Sequence, residues 1–234
     1  MDLKFIEINN EKMLAITLFG MDRPMEVLEW QKKVMVDYFK FNINYIQCPF
    51  PAMSHGWCMN QILRETIDSL KPDYYFFLDS DAIFLKKEAM DIMYDFVKNK
   101  RTLFGITQQS NHKKNNITNS KIHAYVSQAC VCFPSKIYNE LNRPCMDHWS
   151  DGSDEFGGDT AERLTYEAKK KGYLISMIYP SNVYLKNSNL DSGLMFGMGN
   201  TYSDLVYHVM QQDNPISKDL FIEECKKVIN GNIK

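Results

Sequence analysis

The stretch Tyr74–Leu85, YYFFLDSDAIFL, decides the fold of this chain. Its first five residues, Tyr74–Leu78, are bulky and lack the polar alternation of a half-exposed strand, which is typical of a strand buried on both faces of a parallel sheet. Asp79 and Asp81 follow directly. Because residues i and i+2 of an extended chain point the same way, we expect the two carboxylates to lie together. They stand at the carboxyl end of a strand, where α/β sheets bind their ligands.

The paired carboxylates predict a cation site. Like charges this close oppose each other's ionisation, and a divalent cation with oxygen ligands removes that conflict. An ordinary turn is the structural alternative, because aspartate is common in turns. Phosphatases of the haloacid dehalogenase type also place DxD after an apolar strand, but near the start of the chain and followed by Thr or Val. Here Ile83 takes that later position, and roughly 70 residues precede the motif.

The rest of the chain alternates predicted strands and helices. Strands are predicted at 13–19, 43–46, 101–107, 126–133 and 173–179. Helices are predicted at 24–40, 56–70, 88–98, 134–141, 159–171 and 217–229. Loops are predicted at 108–120, 142–158 and 187–202. The alternation before the DxD motif indicates a parallel sheet with right-handed crossovers, so the fold class is α/β.

The composition of the chain excludes some classes of binding partner. A net charge of −2 gives no field that would attract nucleic acid. No apolar stretch reaches the ~18 residues of a membrane span, and no secretory leader is evident, so we expect a cytoplasmic protein without a membrane span. The six cysteines form no CxxC pair. We therefore expect reduced, buried thiols and neither a disulfide framework nor a zinc site.

Five short segments occur in the order found in nucleotide-sugar glycosyltransferases with the GT-A fold, and the chain resembles that family. They are HGWCMNQIL at 55–63, FFLDSDAIFL at 76–85, VCFPSK at 131–136, GGDTAERL at 157–164 and YSDLVYH at 202–208. The resemblance covers most of the chain and assigns no subfamily. It implies one Rossmann-like GT-A domain over 1–234, with a mostly parallel central sheet flanked by helices. Residues 1–107, approximately, would form the nucleotide-binding half, and 121–234 the acceptor side.

The resemblance implies a metal-dependent glycosyltransferase that moves a sugar from a UDP- or GDP-sugar to a hydroxyl acceptor on a glycan, lipid or protein. Asp81 would bind the metal directly, Asp79 would hold it through water or touch the ribose, and His208 would be the third ligand. Carboxylate, imidazole and phosphate donors suit Mn²⁺ or Mg²⁺. His208 also has a structural interpretation, as a histidine on a half-buried apolar segment.

Fold analogy also implies contacts to the donor. The predicted nucleotide contacts are Thr17, Phe19, Gly20, Arg23, Asn60, Asp79 and Ser80. His55 and Asn60, around the start of the second helix, either face the diphosphate or cap and solvate that helix. Trp57 and Trp149 either stack on a sugar or belong to the core. Tyr184 and Lys186, just beyond a strand end, are further candidates.

Asp159 is the candidate catalytic base on the acceptor hydroxyl, because the resemblance places a base at this acidic helix start. Asp159 and Glu162 equally match a D-x-x-E capping box, which explains both acids structurally. Asp154 and Glu155 in the preceding loop are alternative bases.

Two other functions stay open at this point. A noncatalytic nucleotide- or glycan-binding domain could keep the same fold. A sugar-1-phosphate nucleotidyltransferase is disfavoured, since the glycine-rich N-terminal signature of that class, with its basic residues, is absent.

Overall fold

The structure is a computed structural model that describes residues 2–20, 23–49, 54–109, 124–147, 159–186 and 197–231. The strands in this part of the chain are β1 (Ile6–Ile8), β2 (Glu11–Gly20), β3 (Asn44–Cys48), β4 (Tyr74–Leu78), β5 (Ala82–Phe84), β6 (Thr102–Gln109), β7 (Ala124–Pro134), β8 (Leu174–Ile178), β9 (Pro180–Lys186), β10 (Gly197–Tyr202) and β11 (Val206–Val209). The α-helices are α1 (Met25–Lys32), α2 (His55–Ser69), α3 (Ala89–Val97), α4 (Ser135–Glu140), α5 (Glu162–Lys170) and α6 (Pro215–Ile229).

A seven-stranded sheet forms the centre, in the order β1-β2-β4-β7-β6-β8, and β3 also pairs with β2. The strands β2, β3 and β4 are parallel to one another. Because β7 is antiparallel to both β4 and β6, and β8 is parallel to β6, the strands β6 and β8 run in the same direction as β4. Only β1 and β7 of these seven run the other way. The predicted α/β class with a mostly parallel sheet is confirmed.

The unbroken apolar run of β4 is explained by a core on each side of the sheet. All five of its residues are buried. Tyr74, Phe76 and Leu78 face one core, and Tyr75 and Phe77 face the other, as the two-residue period of a strand requires. Buried side chains of α1, α3 and α6 fill the first core, and those of α2, α4 and α5 fill the second. The predicted flanking helices are therefore present on both faces.

A second sheet, which the sequence did not predict, has the antiparallel order β5-β11-β10-β9. The loop prediction over 187–202 is wrong from Gly197 onward, where β10 begins. The glycines there mark close packing. A Cβ on Gly197 would lie 2.2 Å from the Tyr184 carbonyl oxygen, and one on Gly199 would lie 2.3 Å from the Tyr207 hydroxyl.

Three further predictions are adjusted by the structure. The helix predicted over 24–40 is α-helical only to Lys32 and continues as a π-helix over Lys33–Tyr38. The helix predicted from 159 begins at Glu162. The strand predicted to end at 107 extends to Gln109. Most of the predicted loops, over 110–120, 148–158 and 187–196, fall outside the described residues.

The sheet interleaves the two predicted halves of the chain, because β7 lies between β4 and β6. The assignment of nucleotide and acceptor roles to those halves stays a prediction. All six cysteines are free, and five are buried, as expected for reduced thiols. No helix in the described part of the chain is both long and apolar enough to cross a membrane.

Candidate metal centre

The turn Asp79–Ala82 joins the two sheets. β4 ends at Leu78, and the Asp79 N–H donates to the Ala129 carbonyl of β7 at 3.1 Å. The Ala82 N–H then donates back to the Asp79 carbonyl at 3.1 Å, which closes the turn. β5 starts at Ala82 and pairs with β11 of the second sheet. Asp79 and Asp81 therefore lie where the chain leaves one sheet for the other.

The second sheet brings His208 to these carboxylates. In the β5–β11 register His208 is opposite Ala82, and the Val209 N–H donates to the Asp81 carbonyl at 3.1 Å. His208 Nε2 lies 3.6 Å from Asp81 Oδ1. One potential ligand atom from each of Asp79, Asp81 and His208 lies within 4.8 Å of the others.

The electrostatics of this group favour a bound cation. Burial, followed by the charge of Asp79, raises the pKa of the Asp81 carboxyl well above its usual range. Burial lowers the pKa of the His208 imidazole to about 4, against the opposing effect of the Asp79 charge. His208 Nδ1 is buried without a hydrogen-bond partner in the described part of the chain. A neutral imidazole and two crowded carboxylates are a donor set that fits Mn²⁺ or Mg²⁺.

His55 approaches the same turn from the other side. It is the first residue of α2, whose N-cap Ser54 accepts a hydrogen bond from the Trp57 N–H at 3.0 Å. His55 Nε2 lies 3.4 Å from Asp79 Oδ1. The start of α2, with the positive end of its dipole, thus stands beside the carboxylates.

A cavity of about 430 Å³ opens over the turn. The carboxyl ends of β2, β3 and β4 meet at it, as expected for the ligand site of an α/β sheet. Its lining residues are Leu18, Phe19, Gly20, Arg23, Cys48, His55, Asp79, Ser80, Asp81, Gln128, Gln211, Gln212 and Asp213. Arg23 pairs with Asp213 at this cavity. The predicted contacts Phe19, Gly20, Arg23 and Ser80 are thus brought together.

Two predicted nucleotide contacts lie elsewhere. Thr17 has no solvent exposure and does not line the cavity. Asn60 is also buried, and its amide accepts from the Met146 N–H at 2.8 Å and donates to Cys145 Sγ at 3.1 Å. Its hydrogen-bonding capacity therefore fixes the segment that follows α4. The structure does not support either residue as a donor contact.

Asp159 lies outside the lining of this cavity. Its carboxylate accepts from the Tyr125 hydroxyl, from the Thr160 N–H at 2.8 Å and from the Gln108 amide at 3.3 Å. The capping box is half formed. The Asp159 N–H donates to the Glu162 carboxylate at 3.3 Å, but the Glu162 N–H donates to the Asp159 backbone carbonyl, not to its side chain. The Asp159 side chain is therefore not the N-cap of α5.

Of the remaining candidates, Trp57 and Tyr184 do not line the cavity. Trp57 is half-buried and packs against the core on the α2 side of the sheet. Tyr184 is 37% exposed and lies edge-on to Tyr207 in the second sheet. Lys186 is the last residue of β9. Trp149, Asp154 and Glu155 fall outside the described residues.

Sequence reasoning missed several residues of the centre. Four of them line the cavity, namely Gln128, Gln211, Gln212 and Asp213. A fifth, Gln31 of α1, is buried beneath the turn and donates to its backbone. The polar triplet at 211–213, directly after the strand that carries His208, was a usable signal. The sequence signal for Gln31 was weaker, since it consists only of an amide side chain on an otherwise apolar helix face.

No family model matches the sequence, and no curated protein matches it. Among solved structures, the catalytic domain of Drosophila β1,4-galactosyltransferase 7 in complex with xylobiose is similar at 13% identity and a TM-score of 0.46, over 89% of this chain and 78% of that one. A glycosyltransferase involved in glycosylation of the major capsid of PBCV-1 gives 10% identity and a TM-score of 0.46, over 91% and 99%.

A third similar structure, the inositol-1-phosphate CTP transferase from T. maritima, gives 9% identity and a TM-score of 0.42, over 95% of this chain and 79% of that one. At such identities and TM-scores these similarities carry no information about what this chain binds or catalyses.

Proposed function

We propose that this chain is a divalent-metal-dependent glycosyltransferase that transfers a sugar from a nucleotide-sugar donor to a hydroxyl acceptor. The observation that carries the proposal is the group Asp79, Asp81 and His208, whose ligand atoms lie within 4.8 Å of one another beneath a cavity of about 430 Å³. That cavity stands at the carboxyl ends of three parallel strands, where α/β sheets bind nucleotides.

Asp81 and His208 are the proposed direct ligands of Mn²⁺ or Mg²⁺, because both are buried and 3.6 Å apart. Asp79 is less buried and also faces His55, so it completes the site directly, through water or at the ribose. When bound, the cation would stabilise the charge that develops on the departing diphosphate.

Two cationic or ionisable side chains of the cavity suit that diphosphate. Arg23 and His55 both line it, and Arg23 lies near enough to Asp81 for its charge to lower the pKa of that carboxyl. The planar fork of an arginine matches phosphate oxygens. Phe19 and Gly20, at the end of β2, line the cavity and are the proposed contacts of the nucleoside.

Asp159 is the proposed general base on the acceptor hydroxyl. Gln108 bridges it towards the cavity, since the amide of Gln108 donates to Asp159 and its oxygen accepts from the Ser127 hydroxyl at 2.7 Å. Gln128, the next residue along β7, lines the cavity. This network would keep the Asp159 carboxylate in a fixed orientation.

Thermal unfolding with UDP, GDP or CDP, each with Mn²⁺ or with EDTA, tests the proposal. We expect one nucleoside diphosphate to raise Tm only when Mn²⁺ is present, and we expect Asp81→Ala to abolish that rise. Asp68→Ala is the matched control, because Asp68 is exposed and pairs with Arg143 outside the cavity.

Hydrolysis of the matching nucleotide sugar then separates an enzyme from a binding domain. Slow, Mn²⁺-dependent release of free sugar supports a transferase. Metal-dependent nucleotide binding without any turnover would instead support a noncatalytic nucleotide-binding domain. Equal, metal-independent Tm shifts with all three nucleotides would reject the metal centre itself.

A further inference from the structure

Gln31 is a polar residue on an apolar face of α1. The buried residues beside it are Val27 and Leu28, and Val34 and Met35 continue the same buried face. Gln31 itself has no solvent exposure. A buried amide costs free energy unless its hydrogen bonds are made, so an apolar residue would suit this position better for packing alone.

The side-chain amide of Gln31 donates hydrogen bonds to the turn that carries Asp79 and Asp81. Nε2 lies 2.5 Å from the Asp79 carbonyl oxygen and 2.8 Å from the Ala82 carbonyl oxygen. These two carbonyls flank Ser80 and Asp81, so one side chain holds both ends of the turn. The distance between those ends fixes the backbone positions of Asp79 and Asp81. It therefore also determines where their carboxylates can lie.

The same contact reaches the histidine ligand. Ala82 is the residue opposite His208 in the β5–β11 register. Fixing Ala82 therefore also fixes the strand pairing that sets the distance between His208 and Asp81. Gln31 thus contacts the backbone of Asp79 itself, and the Ala82 that it also contacts follows Asp81 in the chain and pairs with His208.

We propose that Gln31 is a positioning residue of the metal centre, which holds the turn in the geometry that a divalent cation requires. The inference rests on the metal-dependent function proposed above. Gln31 touches neither the cation nor the donor in this role. It acts as the partners of metal ligands commonly do, by fixing the orientation of the groups that bind.

Asn44 provides a matched control. Its Nδ2 also donates to two backbone carbonyls, those of Lys4 at 2.8 Å and Ala15 at 2.9 Å. It stands at the start of β3, whereas the cavity is at the Cys48 end of that strand. Removing its amide should therefore cost stability without changing the metal centre.

The test compares Mn²⁺ affinity in the wild type, Gln31→Met and Asn44→Leu, from the electron paramagnetic resonance signal of free Mn²⁺. Unfolding by urea in EDTA measures the stability of each protein. We expect Gln31→Met to bind Mn²⁺ about 10–100-fold more weakly. The Mn²⁺ affinity of Asn44→Leu should stay within about threefold of that of the wild type. This should hold even if the urea midpoint of Asn44→Leu falls as much as that of Gln31→Met.

A wild-type Mn²⁺ affinity in Gln31→Met would overturn the positioning role and leave the metal centre intact. An equal loss of affinity in both variants would also overturn it, because the effect would then follow stability alone. A wild type that binds no Mn²⁺ would overturn the metal centre and this inference with it.

A second measurement covers the case in which Gln31→Met does not fold. In the wild type, the Gln31 side-chain amide protons should exchange slowly with solvent and shift on addition of Mg²⁺, more than those of Asn44. If the Mg²⁺-induced shift of Gln31 is no larger than that of Asn44, the positioning role is rejected.

Discussion

His208 Nε2 lies 3.6 Å from Asp81 Oδ1, across the pairing of β11 with β5. The two residues are distant in sequence, and the central sheet does not bring them together. The second sheet does so, through a short antiparallel pair that starts where the DxD turn ends. We therefore expect the stability of the small sheet and the metal affinity of the proposed centre to be linked, and several experiments can separate them.

Asp81→Asn should stabilise the metal-free protein and remove its response to metal. The folded pKa of Asp81 is raised, so the contribution of this carboxyl to stability is full below the unfolded pKa and is lost as pH rises through the folded value. At neutral pH a penalty remains, which the neutral amide avoids. We expect about 1 kcal/mol of added stability in EDTA, or roughly 2–4 °C in Tm for a domain of this size.

The measurement is thermal unfolding in EDTA and in Mn²⁺. The wild type should gain Tm with Mn²⁺, and the variant should not. A variant that is less stable than the wild type in EDTA would contradict the electrostatic explanation.

Acid should weaken the metal-free protein through His208. Burial holds the pKa of this imidazole at about 4, below its unfolded value of about 6.5. A folded pKa below the unfolded one means that the unfolded state takes up the proton first, so stability is lost as pH falls from about 6.5 to about 4. The loss should reach up to ~3 kcal/mol.

Urea unfolding between pH 7.5 and 4.5 in EDTA, for the wild type and His208→Gln, measures this contribution. The glutamine amide of His208→Gln does not titrate, so the stability of this variant should fall less than that of the wild type as pH is lowered. Parallel curves for the two proteins would show that the imidazole is not responsible.

Arg23→Gln should weaken nucleoside diphosphate binding about 10–100-fold and leave Mn²⁺ affinity within about threefold, because arginine matches phosphate oxygens while the cation is held by other residues. Isothermal titration with Mn²⁺ alone, and then with the nucleotide in excess Mn²⁺, separates the two affinities. Arg143→Gln is the control, since Arg143 pairs with Asp68 outside the cavity. An equal loss in both variants would argue against a phosphate contact.

Asp159→Asn should lower kcat about 10²–10⁴-fold with metal and nucleotide affinities unchanged, because a general base acts on the acceptor and not on the donor. The amide keeps the size of the side chain and its contacts to Tyr125 and Gln108. Sugar transfer to an identified acceptor is the assay. Full activity in this variant would leave Asp159 as a purely structural residue.

Gly197→Ala should destabilise the small sheet by about 1–3 kcal/mol, because the added Cβ would lie 2.2 Å from the Tyr184 carbonyl oxygen of the paired strand. We also expect weaker Mn²⁺ binding, since β10 supports the strand that carries His208. Gly172→Ala is the control. It has a φ of +83° but nothing within 4 Å, so it should cost about 1 kcal/mol without altering Mn²⁺ affinity.

Sequence patterns predicted the part of the fold that depends on local periodicity. The unalternated run of β4, the apolar faces of α2 and α3, and the position of Asp79 and Asp81 at a strand end all follow from that signal. Of the proposed metal ligands, His208 required a family resemblance, because nothing local distinguishes it from a buried strand histidine.

The rest depends on which strands pair, which periodicity does not encode. β10 contains two glycines that favour a loop in sequence but serve close strand packing in the structure. Thr17 stands near the end of β2 but is fully buried, whereas Phe19, two residues further along the same face of the strand, lines the cavity. Gln31 contacts a turn that lies far from it in sequence, and no local pattern reports such a contact.

The position of β11, near the C-terminal end of the described chain, has a consequence for biosynthesis. The ribosome supplies the chain from the N-terminus onward. A nascent chain can form β4 and expose both carboxylates of the DxD turn well before Val206–Val209 has been translated. Cation retention should therefore begin only once nearly the whole described chain has emerged, and a product truncated before β11 should be released without metal. Bound metal would then distinguish chains that extend past β11 from chains that stop before it.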